Sequence, residues 1–142
     1  FKSDEYTIYT RLIEGKYFAY QKMFTEGEIN TCASRTALIG AMTRAKMCTE
    51  EKQPAVFQIE DDVLNISIRD KLADYQEQVP LQETVCKSIR LGFDSKLVLE
   101  TLKAFTCDNI ALGFTSPRTP MIVEAEDSDM KAMVLPVAIR EA

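Results

Sequence analysis

Two short stretches of the chain can be laid one over the other. Ala33-Ser34-Arg35-Thr36-Ala37-Leu38 and Phe93-Asp94-Ser95-Lys96-Leu97-Val98 stand about sixty residues apart, and each opens a helical pattern behind a capping residue. Strand-like runs follow each helix, and a cysteine, Cys48 or Cys107, closes it. Even the last runs correspond, because Val79-Pro80-Leu81 is echoed by Leu135-Pro136-Val137. One helix with its meander cannot cover its own apolar faces, whereas two copies can, by packing helix on helix with a sheet behind each. The expectation is an α+β fold, internally duplicated, with two helices packed on two antiparallel sheets. An α+β domain holding two unrelated helix-plus-meander segments gives the same pattern by composition alone, and that alternative stays open at this level.

Ser34 is the expected N-cap of a helix running to about Met47, with Leu38, Ala41, Met42 and Ala45 at helical spacing. Ala55 to Ile59 and Val63 to Ile68 read as strands around a tight acidic turn, Glu60-Asp61-Asp62, with residues 73–81 and 85–93 as two further strands. Asp94 caps a second helix, expected from Ser95 to about Thr106, whose apolar stripe is Leu97, Val98, Thr101, Leu102 and Phe105. Asn109 to Thr115, Met121 to Glu126 and Met130 to Ile139 complete the strands, the first two separated by the loop Ser116-Pro117-Arg118-Thr119-Pro120. Ahead of the repeat, Tyr6 to Ile13 is rich in β-branched and aromatic residues and stops at Glu14-Gly15, the pattern of a strand and a turn.

Histidine is absent, which removes Ser-His and Cys-His triads, imidazole metal ligands and the commonest general base. Cys32, Cys48, Cys86 and Cys107 form no C-x-x-C pair, so neither a zinc site nor a redox motif is indicated; reduced, mostly buried thiols are expected. The acidic runs Glu60-Asp61-Asp62 and Glu124-Ala125-Glu126-Asp127 fall at expected hairpin tips, where Asp and Glu are ordinary turn residues rather than metal ligands. No glycine-rich phosphate loop occurs. No cofactor, no metal and no catalytic constellation are expected, which argues against an enzyme. The competing classes are a small α+β enzyme or ligand-binding domain with a cavity between helices and sheets, and an interaction module that uses a sheet edge and never meets DNA. No apolar run approaches the roughly 20 residues that cross a bilayer, and the polar start Phe1-Lys2-Ser3-Asp4-Glu5 does not read as a secretory leader, so a cytoplasmic chain without a membrane partner is expected.

The formal net charge of −5 speaks against nucleic-acid binding over the whole surface but leaves room for a local basic face. Lys96 and Lys103 are two helical turns apart and project together, opposite Val98, Leu102 and Phe105, with Glu100 nearby. On the first helix Arg35 and Lys46 border one edge of the apolar stripe and Arg44 the other. Such rows are usually solvated faces; contact with duplex DNA is the sharper reading.

Three segments carry a family resemblance: Thr10-Arg11-Leu12-Ile13-Glu14-Gly15-Lys16-Tyr17-Phe18-Ala19-Tyr20, then Leu91-Gly92-Phe93-Asp94-Ser95-Lys96-Leu97-Val98-Leu99-Glu100-Thr101-Leu102, and the ending Met133-Val134-Leu135-Pro136-Val137. Together they resemble the C-terminal third of the bacterial β sliding clamp, the processivity subunit of DNA polymerase III. The first looks like that family's crossover between its second and third domains, with Phe18 where the family has proline. The resemblance implies a DNA-clamp fold in which residues 1–20 are the last strand of the preceding domain and the crossover, and residues 21–142 are the C-terminal clamp domain. It implies a non-catalytic homodimeric ring whose helices line the hole, so that Arg35, Arg44, Lys46, Lys96 and Lys103 would face duplex DNA and neutralise phosphates without reading bases. This stretch alone would not close such a ring.

The resemblance further implies a pocket for short linear motifs of polymerase, clamp-loader subunits and repair proteins. Carried over position by position, its walls would be Phe18, Lys22 and Met23 from the crossover, Asp94 and Leu97 at the second helix, Arg118 and Pro120 from the proline loop, and Met133, Val134, Leu135, Pro136 and Val137 from the tail. Arg140-Glu141-Ala142 runs past the family's usual stop and has no assigned role.

Overall fold

The computed structural model describes residues 1–48, 53–69, 73–127 and 129–139. Ser34 and Asp94 both take extended backbone and both cap a helix. The Ser34 hydroxyl accepts the Ala37 N–H at 3.4 Å, and the Asp94 carboxylate accepts those of Lys96 at 2.8 Å and Leu97 at 3.3 Å, which satisfies N–H groups that have no partner inside the helix. They open α1 (Arg35–Met47) and α2 (Ser95–Ala104), which pack on each other. Buried in α1 are Leu38, Ala41, Met42 and Ala45, the expected stripe. In α2 the buried set is Ser95, Val98, Leu99 and Leu102, so Leu97 leaves the expected stripe; it is 51% exposed and Leu99 takes the inner place. α2 ends two residues before Thr106, because the buried Phe105 leaves the helix in extended backbone, and Cys107 lies beyond that cap.

Among the described residues six strands are antiparallel in the order β2-β3-β1-β4-β5-β6: β1 (Ile29–Ser34), β2 (Ala55–Arg69), β3 (Asp74–Phe93), β4 (Asn109–Phe114), β5 (Met121–Ala125) and β6 (Lys131–Val134). Within β2, residues 55–59 pair with 93–89 of β3 and residues 63–69 with 80–74. Val56, Gln58, Ser67 and Arg69 line one groove. In a single extended run Val56 and Arg69 would stand roughly 43 Å apart, at about 3.3 Å per residue. β2 therefore doubles back at Glu60-Asp61-Asp62, where Asp61 takes the positive φ, 52°, that tight hairpin turns use. The expected strands at 73–81 and 85–93 are the two arms of β3, which flank that hairpin on both edges.

Each half lends its first strand to the other. β1 leads into α1 yet pairs with β4 behind α2, Ala33 opposite Ile110; the second arm of β3 leads into α2 yet pairs with β2 behind α1, Phe93 opposite Ala55. All four residues are buried, and Phe93 packs edge-on against Phe57 with ring centroids 5.1 Å apart. The two expected sheets meet edge to edge through single bridges at matching places, Ala33 with Leu81 and Gly92 with Val137. Leu81 and Val137 each follow the proline of the echoed segments, which has no N–H to extend a ladder. This reciprocal exchange is the geometry of a duplicated unit related by a pseudo-two-fold axis.

Other expectations are corrected. Tyr6 to Ile13 is not a strand: a lone bridge joins Lys2 and Thr7, and residues 1–23 are exposed throughout, because strand propensity needs a neighbouring ladder and this segment has none beyond that bridge among the described residues. The last ladder stops at Val134 rather than Ile139, interrupted at Leu135-Pro136. The thiols are free but not mostly buried: Cys107 is, Cys32 and Cys48 are half-buried, and Cys86 is exposed. Arg140-Glu141-Ala142 lies outside the described residues.

Candidate functional site

The echo that organises the fold also builds a junction at one end of it. Val137 donates its N–H to the Gly92 carbonyl at 2.8 Å, two residues before the Asp94 cap, so the tail is fastened beside the start of α2. A Cβ on Gly92 would stand 2.8 Å from the Val137 carbonyl oxygen and 3.0 Å from Ile139 Cγ1. Only glycine lets the two backbones approach this closely. Met121 faces Val134 and Ile122 faces Met133 across β5 and β6, which brings Pro120, the residue before Met121, to the same end. Val134 is buried and anchors the strand; Met133 and Pro136 are half-buried; Leu135 and Val137 are 59% and 41% exposed.

The tail, the α2 start and the proline loop thus gather Leu97, Leu135 and Val137 as exposed apolar side chains around a fixed backbone. Arg118 is exposed in a turn held by hydrogen bonds between Ser116 and Thr119. Phe18, Lys22 and Met23 stand apart in character. Phe18 stacks on Tyr17 at 4.9 Å in an exposed aromatic group with Tyr20, Lys22 and Met23 belong to the exposed 3-10 turn Tyr20–Met23, and no hydrogen bond or ring contact joins them to the tail among the described residues. Gly92 is the junction residue that sequence reading missed; the available signal was a glycine inside a strand two residues before a helix cap.

The five cations fall into different environments. Lys96, Lys103 and Lys46 are exposed. Arg35 is half-buried and its Nε donates to the Cys107 carbonyl at 2.6 Å, tying the start of α1 to the chain beyond α2. Arg44 forks onto Glu77: Nε donates to Oε2 at 2.8 Å and Nη2 to Oε1. The Tyr75 hydroxyl reaches both Glu77 and the Ala41 carbonyl, the latter at 2.9 Å. Hydrogen bonds from Arg44 and then from Tyr75 hold the Glu77 carboxyl down to about 2, and burial, helped by Glu77, pushes the Tyr75 phenol above its ordinary range.

A groove of about 580 Å³ crosses the outer face of the first sheet, bounded by Val56, Gln58, Ser67, Arg69, Gln76 and Arg90. It lies on the polar side of the strands, not between helices and sheet, which is where a cavity was required by the competing enzyme class. Burial pushes the Cys32 thiol up, with Glu126 adding to the shift, so it is a poor nucleophile. Among the described residues no group of three His, Cys, Asp or Glu side chains is arranged to hold a metal, and no helix is long and apolar enough to cross a membrane.

Known proteins share this arrangement. The chain superposes on the DNA polymerase sliding clamp from Pseudomonas aeruginosa with a TM-score of 0.84 at 20% identity, covering 92% of this chain and 36% of that one. It superposes on the DNA polymerase III beta subunit from Thermotoga maritima with a TM-score of 0.83 at 17% identity, covering 92% and 36%. At these identities the likeness establishes the fold. In sequence, it is 25% identical over 142 residues to the beta sliding clamp of Staphylococcus aureus (strain Mu50 / ATCC 700699), across 96% of this chain and 38% of the relative. The chain therefore spans well under half the length of the curated relatives it matches. The family described as "DNA polymerase III beta subunit, C-terminal domain" matches residues 23–138, which takes in both helices, all six strands and the tail bridge. Doubled fold, fastened tail and family match coincide over the same residues, and the chain belongs to the DNA polymerase III beta subunit family.

Proposed function

We propose that this chain is the C-terminal domain of a sliding clamp that, at its full natural length, closes as a two-subunit ring around duplex DNA and keeps the replicative polymerase on its template. The observation that carries this reading is the family match over residues 23–138. In it residues 1–20, which form no ladder here beyond the Lys2 to Thr7 bridge, would take up the last strand of the preceding domain and the crossover once that domain's sheet lies beside them, and residues 21–142 are the clamp domain. The exposed segment before the repeat supports that division, since its apolar side chains Tyr9, Leu12 and Ile13 have no cover of their own. The role is mechanical rather than catalytic, and the working compartment is the cytoplasm.

Two surfaces divide the work. Exposed lysines on the paired helices, Lys96 and Lys103 foremost, line the channel, where scattered positive charge holds phosphates without fixing a register on the sequence. The tail junction, with Leu97, Leu135 and Val137 around the Gly92 bridge, docks short linear motifs of polymerase, clamp loader and repair proteins; Phe18, Lys22 and Met23 close it from the crossover side. The test is a titration with a peptide holding a glutamine followed by hydrophobic and aromatic residues, read by amide NMR. Shifts centred on Asp94, Leu97 and residues 133–137 are expected, and shifts confined to the outer groove near Arg90 would overturn the assignment.

A further inference from the structure

We infer that Arg44 is a positioning residue that locks α1 against β3, and not one of the cations that hold phosphates in the channel. The inference rests on the clamp reading and sharpens it. Three observations carry it. The guanidinium gives Nε and Nη2 to the two carboxylate oxygens of Glu77, the bidentate pairing in which its directional donors are used and its charge is matched within the domain. The Glu77 Oε2 that takes the Arg44 Nε proton also lies within hydrogen-bond reach of the Tyr75 hydroxyl, whose single proton is shared between it and the Ala41 carbonyl in the middle of α1. Ala41 and Arg44 are three residues apart on the helix, and Tyr75 and Glu77 are neighbours on one face of the strand, so the four groups form a closed link between two elements 33 residues apart in sequence.

Holding a sliding phosphate needs the opposite arrangement. The cation must exchange partners as the duplex moves past, and one already forked onto a carboxylate releases few counterions when DNA arrives. Lys96 and Lys103 meet that requirement and Arg44 does not. The link instead sets the roll of α1, and with it the side of the helix that reaches the channel.

The experiment uses the protein at its full natural length, with Arg44→Gln, Glu77→Gln, the double variant, and Lys103→Gln as the channel control. Affinity for a short linear duplex is measured against salt, retention on closed circular duplex checks the ring itself, and melting is measured without DNA. Lys103→Gln should lower the slope of log affinity against log salt by about 0.9 for each phosphate that is no longer neutralised. Arg44→Gln should leave the slope unchanged, lower the melting temperature, and raise the Glu77 carboxyl pKa toward the ordinary range by NMR. The two single variants should be destabilised to a similar degree, and the double variant little more than either. A fall in slope for Arg44→Gln equal to that for Lys103→Gln, or additive destabilisation in the melting cycle, would overturn the assignment. Failure of the ring reading itself is recognised separately: the unaltered protein would then not be retained on the circle, while the melting cycle and the carboxyl titration would still decide the role of Arg44.

Discussion

Replacing Gly92 by alanine perturbs one place where the two sheets are joined. The new methyl would sit 2.8 Å from the Val137 carbonyl oxygen, 3.0 Å from Ile139 Cγ1 and 3.3 Å from Pro54 Cβ. Backbone oxygen cannot yield at that distance without moving the chain, and the movable part is the tail, which is tied back to β3 there by one bridge. Losing the Val137 to Gly92 hydrogen bond costs about 1 kcal/mol, and the overpacking adds about 1–3 kcal/mol. A total of roughly 2–4 kcal/mol, at 1.4 kcal/mol per factor of ten, is a shift of about 30- to 700-fold toward a detached tail. The β5 and β6 ladder is untouched, so the effect should stay local. Amide exchange, residue by residue, is the assay: Val137 should exchange faster by about that factor while Val134 and Val123 remain protected, and affinity for the linear peptide should fall alongside. A Gly92→Ala protein whose Val137 amide exchanges at the original rate would refute the reasoning that this bridge holds the tail.

Three further outcomes follow from the packing. Asp94→Ala removes the acceptor of two N–H groups at the start of α2 and should cost about 1 kcal/mol, seen as a fall of roughly 2–4 °C in melting temperature, whereas Asp94→Ser should recover most of it. Phe57→Ala, which empties a buried site against Phe93, should cost about 3–5 kcal/mol in denaturant unfolding, while Leu97→Ala on the exposed side of α2 should stay within about 0.5 kcal/mol and weaken peptide binding instead. Because Glu77 is held at about 2 in the fold against an ordinary 4.5, its contribution to stability is complete above pH 4.5 and is lost as the pH falls toward 2; Glu77→Gln should be less stable at neutral pH, with a flatter acid limb in melts taken across that range.

Local chemistry made much of this fold readable. The two caps, the α1 stripe, the acidic turn with Asp61 and the paired prolines are set by neighbours in sequence, and each stands where the pattern put it. What depends on distant partners was not readable. Nothing in the run Tyr6 to Ile13 says that no ladder lies beside it, and Leu97 and Leu99 are two residues apart on a helix whose roll is set by packing against α1, so periodicity alone could not choose between them. The same limit applies to the candidate site. The tail and the α2 cap were legible as a motif, yet the glycine that brings them together acts through a close approach to a residue 45 positions away in the chain. Arg44 looked like any cation beside an apolar stripe until Glu77 and Tyr75 arrived from another strand.

The claim on which the rest depends is that the protein at its full natural length is held on DNA by topology. Its most direct test is to load it on a nicked circular duplex at a salt concentration that weakens attraction to phosphates, then cut the circle once and follow the protein that remains bound. Retention on the intact circle with rapid release after cutting is the predicted result. Equal dissociation from the circle and the cut duplex would contradict it.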